Sequence, residues 1–97
     1  MAIQTLFSAQ TANATSSAIE IDKINKVGLV PTIAVYAYGT WDTSSLQVEI
    51  SPDGTNFVNH ETALTDSGTV KIDIPCHSVR ATLSSVGAGT NLNVVLV

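Results

Sequence analysis

Hydrophobic and polar residues alternate along most of this chain. The clearest alternation runs through residues 31–41 and 46–54. The apolar positions at period two are Ile33, Val35, Ala37 and Trp41, followed by Leu46, Val48 and Ile50. Successive side chains of a β-strand leave opposite faces, so this spacing predicts two strands with one buried face each. Both tyrosines of the chain, Tyr36 and Tyr38, fall on the outer face of the first of these strands.

Other short segments alternate in the same way and are separated by turn residues. The predicted strands cover residues 3–8, 18–21, 31–41, 46–50, 57–60, 69–74, 78–84 and 92–97. In the segment 69–74 we expect Val70, Ile72 and Ile74 to point inward, and Pro75 to end the strand because it has no N–H for a ladder. Residues 9–17 and 61–68 are predicted loops, whereas residues 22–30 fit either an irregular turn or a short strand.

The connections between these segments favour an all-β fold. Asp53-Gly54 is a turn dipeptide that commonly closes a hairpin, here between the segments 46–50 and 57–60. Strands repeat about every 8–12 residues, and no window shows a convincing helical period. The pattern therefore predicts one domain over residues 1–97, an antiparallel β-sandwich or jelly roll of about eight short strands, in which residues 1–8 form either the first strand or an N-terminal arm.

The number and distribution of charged residues argue against some classes of function. Charged residues make up 12% of the chain, and the net charge is −4. The four basic residues are scattered, which argues against nucleic-acid binding and against a basic helix on a membrane surface. The polarity comes mainly from Thr, Ser and Asn, and such a surface suits contact with another protein.

Targeting signals give a second constraint. Cys76 is the single cysteine, so no intrachain disulfide can form, which is consistent with synthesis in a reducing cytoplasm. The first residues lack the basic and apolar regions of a signal peptide. No apolar run approaches the roughly 20 residues of a membrane helix.

Residues with catalytic or metal-binding potential form no convincing motif. His60, Cys76 and His77 are the candidate zinc ligands, but adjacent residues of an extended strand point to opposite faces. His77 with Asp73 and a nearby serine would be a chance constellation in a serine-rich chain. The sequence predicts no catalytic residue, no metal, no cofactor and no small-molecule substrate.

Three aspartates offer a further alternative. Asp42, Asp53 and Asp66 fall in predicted loops, where an isolated aspartate can bind calcium or form an Asx turn. The acidic density of a calcium-binding loop is missing, so Asx turns are the preferred interpretation.

The aromatic residues suggest a binding surface. Trp41 with Tyr36 and Tyr38 could form a sugar-stacking platform, but the two tyrosines share one strand face and Trp41 falls on the other. Trp41 is therefore predicted to lie in the core or at its edge. Tyr36 and Tyr38 are the preferred candidates for a protein contact, with Leu6 and Phe7 of the N-terminal arm as further candidates.

Residues 39–57 carry a recognisable pattern. Gly39-Thr-Trp41 is followed by a polar loop, an alternating strand that ends in Ser51-Pro-Asp-Gly54, and the aromatic Phe57. This segment resembles one found in small structural proteins of tailed bacteriophages. The later stretch Val79-Arg-Ala-Thr82, the C-terminal strand and the small-polar N-terminal region are similar to the same class.

The resemblance implies a function without catalysis. It implies a capsid cement or decoration protein, made in the host bacterial cytoplasm and placed on the capsid exterior of the virion. The implied partners are the major capsid protein and further copies of the chain, as a homotrimer at local threefold positions. Residues 2–8 and the terminal strand would be the docking or strand-exchange segments. A carbohydrate- or receptor-binding β-module of a phage tail or cell-surface protein is the alternative, and a small hydrolase is disfavoured.

Overall fold

The computed structural model describes residues 3–21 and 33–97, which form nine strands in two antiparallel sheets. The strands are β1 (Gln4–Gln10), β2 (Ala14–Thr15), β3 (Ile19–Glu20), β4 (Ile33–Thr40), β5 (Ser45–Ser51), β6 (Val58–Leu64), β7 (Gly68–Ile72), β8 (Ser78–Ser84) and β9 (Asn91–Leu96). The first sheet has the order β1-β9-β4-β7. The second has the order β2-β8-β5-β6, with β3 also paired to β8. The predicted β-sandwich is confirmed.

The period-two positions form the core between the sheets. All apolar residues singled out in β4 and β5, from Ile33 to Ile50, are buried, and Trp41 is 8% exposed. The inward positions of β8 and β9 complete this core; they are Val79, Ala81, Leu83, Leu92, Val94 and Leu96. The alternation therefore predicted which side chains lie inside, because burial of one face of each sheet is what the pattern encodes.

Several predicted boundaries were wrong. The predicted loop 9–17 contains the end of β1 and all of β2. The predicted loop 61–68 contains the second half of β6, which continues past a register shift opposite β5 where Glu61 has a φ of 62°. Ile74, predicted to point inward, is 45% exposed because β7 already ends at Ile72. The ambiguous segment 22–30 lies outside the described residues.

The predicted docking segments lie within the first sheet. Strand β9 pairs with β1 on one side and β4 on the other, so the terminal strand has no open edge for strand exchange. Residues 1–2 of the predicted arm lie outside the described residues, and residues 4–8 belong to strand β1, which places Leu6 and Phe7 in the core at 9% and 6% exposure. These two side chains are therefore not surface contacts in this chain.

One end of the sandwich is held by contacts between two connections. Residues 41–44 lead from β4 to β5, and residues 85–90 lead from β8 to β9, so both connections cross between the sheets. The buried Thr90 hydroxyl donates to the Trp41 carbonyl at 2.8 Å. The Gly89 N–H donates to the Asp42 carboxylate at 2.6 Å, and the Gly87 N–H donates to the Asp42 carbonyl at 3.1 Å. We call this set of contacts the crossover lock.

Gly39 is required by close packing of two strands. Its φ is 132°, and a Cβ at this position would lie 2.2 Å from the Asn91 carbonyl oxygen. We expect Gly39→Ala to lower the free energy of unfolding by roughly 2–4 kcal/mol, because backbone strain and a backbone clash are added together. The control is Gly68→Ala, since a Cβ there meets no atom closer than 3.7 Å. Denaturant unfolding of both variants checks this, and equal stabilities would contradict it.

The crossover lock gives a second prediction. Thr90→Val replaces a buried hydroxyl that donates to the Trp41 carbonyl and accepts the Gly87 N–H at 3.1 Å. Loss of these bonds should lower the free energy of unfolding by about 1–3 kcal/mol, because each net hydrogen bond contributes about 0.5–1.5 kcal/mol and the apolar replacement makes neither. Thr40→Val, at an exposed position of β4, is the matched control and should change stability by no more than about 0.5 kcal/mol. If both variants lose similar amounts of unfolding free energy, the crossover lock contributes little to stability.

Candidate functional site

The outward side chains of the first sheet form a continuous surface. The register places Tyr36 of β4 between Thr69 of β7 and Val95 of β9, and it pairs Val95 with Thr5 of β1. These residues form one row across all strands of the sheet. Tyr38 starts the next row, opposite Asn93 of β9.

We call this surface the tyrosine face. Its residues are Ile3, Thr5, Ala34, Tyr36, Tyr38, Thr69, Lys71, Asn93, Val95 and Val97. Tyr36 and Tyr38 are 45% and 51% exposed, and Ile3, which precedes β1, is 66% exposed. Lys71 is the one charged member of the set and lies on the outermost strand β7. The centre of the tyrosine face is therefore aromatic and aliphatic, with hydroxyl groups around it.

The outer face of the second sheet has a different chemistry. Arg80 of β8 donates to Glu49 of β5 at 2.8 Å, and its guanidinium lies 3.9 Å from the centre of the Phe57 ring. The other Glu49 oxygen accepts the Thr82 hydroxyl at 2.6 Å, and Thr82 contacts the Thr15 hydroxyl at 3.2 Å. These polar groups satisfy one another within the chain. A partner docking on this side would have to compete with bonds that already exist.

The two outer strands of the first sheet are poor templates for strand addition. His60 of β6 brings its Nε2 to 2.9 Å from the Lys71 carbonyl, so a backbone acceptor at the edge of β7 is occupied. Strand β1 has two register shifts against β9, and Ala9 has a φ of 50°. Bulges of this kind bend an edge strand and hinder pairing with another chain. Within the first sheet, the tyrosine face is therefore a better contact surface than either edge.

His77, the central residue of the candidate catalytic constellation, contacts a serine that is buried. His77 Nδ1 lies 2.6 Å from the Ser78 hydroxyl, but Ser78 is 1% exposed, so that oxygen is out of reach of a substrate. Asp73, the predicted acid, is exposed and lies in the connection after β7. Burial raises the pKa of the Cys76 thiol, which disfavours the thiolate that attack or metal binding requires. Within residues 3–21 and 33–97, no group of three or more His, Cys, Asp or Glu side chains could hold a metal ion.

The three candidate calcium aspartates lie in separate connections. Asp42 belongs to the crossover lock, and Asp66 accepts the N–H of Ser67 at 2.8 Å. Asp53 accepts the N–H groups of Thr55 and Asn56, both at 2.9 Å. Each carboxylate thus accepts at least one backbone N–H. The bond from Thr55, two residues on, gives Asp53 the expected Asx turn, whereas the bond of Asp66 is to the next residue and does not form one.

The sequence-based candidates therefore have different outcomes. Tyr36 and Tyr38 lie side by side in the tyrosine face, whereas Leu6 and Phe7 are buried. Trp41 is in the core, as predicted, and its indole N–H donates to the Ser67 hydroxyl at 3.0 Å. Val95 and Val97 were missed as members of the surface. Alternation in the segment 92–97 showed that they point outward, but the pairing of β9 with β4 was needed to place them beside the tyrosines.

Comparison with protein-family models, with curated proteins and with solved structures found no match to this chain. In the described part of the chain, no helix is long and apolar enough to cross a membrane.

The turn at Asp53 should make stability depend on pH. The backbone N–H groups of Asn56 and Thr55, with the side chains of Asn56 and Ser51, hold the pKa of Asp53 well below its ordinary value. A lowered folded-state pKa gives stability that is present above the ordinary carboxyl pKa of about 4 and is lost as the pH falls toward the folded-state value. Asp53→Asn lacks this charge. Its deficit in unfolding free energy relative to the wild type should be constant from pH 7 to 5 and should shrink below about pH 4. Denaturant unfolding at each pH measures it, and a constant deficit down to pH 2 would contradict it.

Proposed function

We propose that this chain is a non-enzymatic virion protein of a tailed bacteriophage, a cement or decoration protein on the capsid exterior that stabilises the head by bridging neighbouring capsid subunits. The resemblance of residues 39–57 to small phage structural proteins suggests the class. The observation that supports it best is the tyrosine face, an exposed aromatic surface that spans every strand of the first sheet.

The composition of the tyrosine face is that of a protein contact. Interfaces are enriched in tyrosine at their centres and depleted of acidic residues and lysine. Tyr36 and Tyr38 provide large, rigid side chains on a β-sheet, so little conformational entropy is lost when they are covered. The surrounding Thr5 and Thr69 provide a polar rim.

The proposed mechanism is mechanical. A decoration protein that contacts adjacent capsid subunits adds buried surface between them, and so raises the free energy needed to separate them under internal pressure. Each copy needs to contribute only a few kcal/mol, because many copies act in parallel on one shell. Synthesis in the host cytoplasm fits a chain whose single cysteine is half-buried and unpaired.

A carbohydrate- or receptor-binding module is the second candidate, and the two exposed tyrosines are the observation that favours it. The stacking platform would have to form without Trp41, whose ring is buried and whose N–H is bonded to Ser67. The Asn93 amide oxygen, a polar group beside the tyrosines, already accepts the Ala9 N–H at 3.0 Å. A sugar could stack on two aromatic rings of an open sheet, but it would have few hydrogen-bonding groups there to bind.

Shell binding tests the proposal. Wild-type protein should cosediment with expanded empty shells of the major capsid protein encoded in the same genome. The double variant Tyr36→Thr with Tyr38→Thr should bind about 30–1,000-fold more weakly, because two central tyrosines together contribute roughly 2–4 kcal/mol. Threonine retains a high β-propensity at both positions.

The matched control for shell binding is Thr62→Ala, at an exposed position of β6 in the second sheet, which should bind shells as the wild type does. Failure of the wild type to bind shells would overturn the capsid proposal. A glycan array with the same variants separates the second candidate, which requires binding by the wild type and its loss in the double variant.

A further inference from the structure

We infer that the tyrosine face packs against the same face of a second copy of this chain and forms a two-fold dimer by sheet-to-sheet contact. The inference rests on the proposed function in one respect, that this face is a protein contact. It concerns the protein free of shells, where a dimer takes the place of the expected homotrimer, and a capsid subunit replaces the second copy on this face when the protein binds a shell. It goes further by naming the occupant and the orientation of the two copies.

The distribution of charge favours a second copy as the occupant. The chain carries a net charge of −4, so two copies repel each other wherever their acidic residues come close. The acidic residues of the described part lie on strands of the second sheet or in connections; they are Glu20, Asp42, Glu49, Asp53, Glu61, Asp66 and Asp73. None is a member of the tyrosine face. A basic partner would benefit from acidic residues on this face, whereas a second acidic copy requires their exclusion.

The area of the face is sufficient for a dimer. Strands lie about 4.8 Å apart and rise about 3.3 Å per residue, so the outer surface of four strands and five residues measures roughly 19 by 17 Å. With the relief of the side chains this corresponds to roughly 500 Å² per copy, or about 1,000 Å² for two, which is near the lower limit for a specific interface. Burial of the whole face is therefore needed, and a contact at one corner would be too small.

The shape of the face selects one of two symmetric arrangements. A two-fold axis across the strands, through the row of Tyr36, places every strand over its own copy, so that Tyr36 meets Tyr36 and Val95 meets Val95. An axis along the strands places β4 of each copy over β9 of the other, given the strand order β1-β9-β4-β7. Tyr36 then lies over Val95, its own neighbour in the row, and the two Lys71 side chains lie at opposite margins. Large residues meet smaller ones in the second arrangement, whereas two tyrosines meet in the first, so we infer the second arrangement.

The edges of the sheet support a face contact over strand addition. The Lys71 carbonyl at one edge is occupied by His60, and β1 at the other edge is bulged. A dimer through the free edge of this sheet would need a regular ladder along β1. The face contact leaves both edges as they are.

Sedimentation equilibrium and a mixing experiment test the inference. The 10.1 kDa chain should sediment with twice that mass at micromolar concentration. Tyr36→Glu and Val95→Lys should each weaken the dimer at least about 100-fold, because each buries an unpaired charge in both halves of the contact. The control Thr62→Lys changes the charge on an exposed position of β6 in the second sheet and should remain dimeric.

Mixing the two monomeric variants decides the orientation. If position 36 of one copy faces position 95 of the other, the mixture forms a heterodimer in which the introduced carboxylate opposes the introduced ammonium and the second Tyr36–Val95 contact stays intact. Restoration also shows that both variants are folded. A mixture that stays monomeric overturns this orientation. The dimer is overturned if the wild type is monomeric or trimeric. It is also overturned if Thr62→Lys weakens the dimer as much as the two tyrosine-face variants do.

The two proposals fail separately. A dimer that does not bind shells contradicts the capsid function and leaves the inference standing. A monomer that binds shells through the two tyrosines supports the capsid function and contradicts the inference.

Discussion

The crossover lock is the interaction on which the rest of this structure depends. Strand β4 pairs with β9 in the first sheet, and β5 pairs with β8 in the second, so the two connections between these pairs cross side by side at one end of the sandwich. The Thr90 hydroxyl and the Asp42 carboxylate hold the two connections together. A slip of one residue would turn every side chain of a strand to the other face, so fixing these ends fixes which residues are buried. The tyrosine face has its composition because this register is maintained.

The crossover lock also explains which residues occupy particular positions in the two connections. The turn from Trp41 to Ser44 has positive φ at both central residues, 40° at Asp42 and 70° at Thr43, where Asn-Gly would be the least strained pair. Asp42 suits this position despite the strain because its carboxylate and carbonyl both accept N–H groups from the neighbouring connection. A Cβ at Gly87 would lie 2.5 Å from the Asp42 carbonyl oxygen, so glycine is required there for close approach. Local strain at Thr43 is thus balanced by contacts between the sheets.

The sequence predicted what depends on local periodicity and missed what depends on pairing. The bounds of β8 and the inward positions of β4, β5 and β8 were correct, since alternation reports burial directly. Strand β2 was missed because Ala14 and Thr15 are too short a segment to show a pattern, and they are strand only through pairing with β8. Leu6 and Phe7 were assigned to a contact arm because the sequence does not show that β1 is covered by the rest of the sandwich. The exposure of Tyr36 and Tyr38 was predictable, but their neighbours on β9 were not.

The two outer faces of the sandwich show how a small β-domain can direct where association occurs. Outside the second sheet, Arg80, Glu49 and Thr82 bond to one another, so covering them would cost desolvation without adding new bonds. Outside the first sheet, the exposed tyrosines have apolar area to bury, and the edges beside them are bulged or occupied. Of the two outer faces and the edges of the first sheet, the tyrosine face therefore has the least physical obstacle to being covered. In a chain with 12% charged residues, the two faces of the described sandwich thus differ in chemistry: charges pair with one another on one face, and apolar and aromatic side chains are exposed on the other.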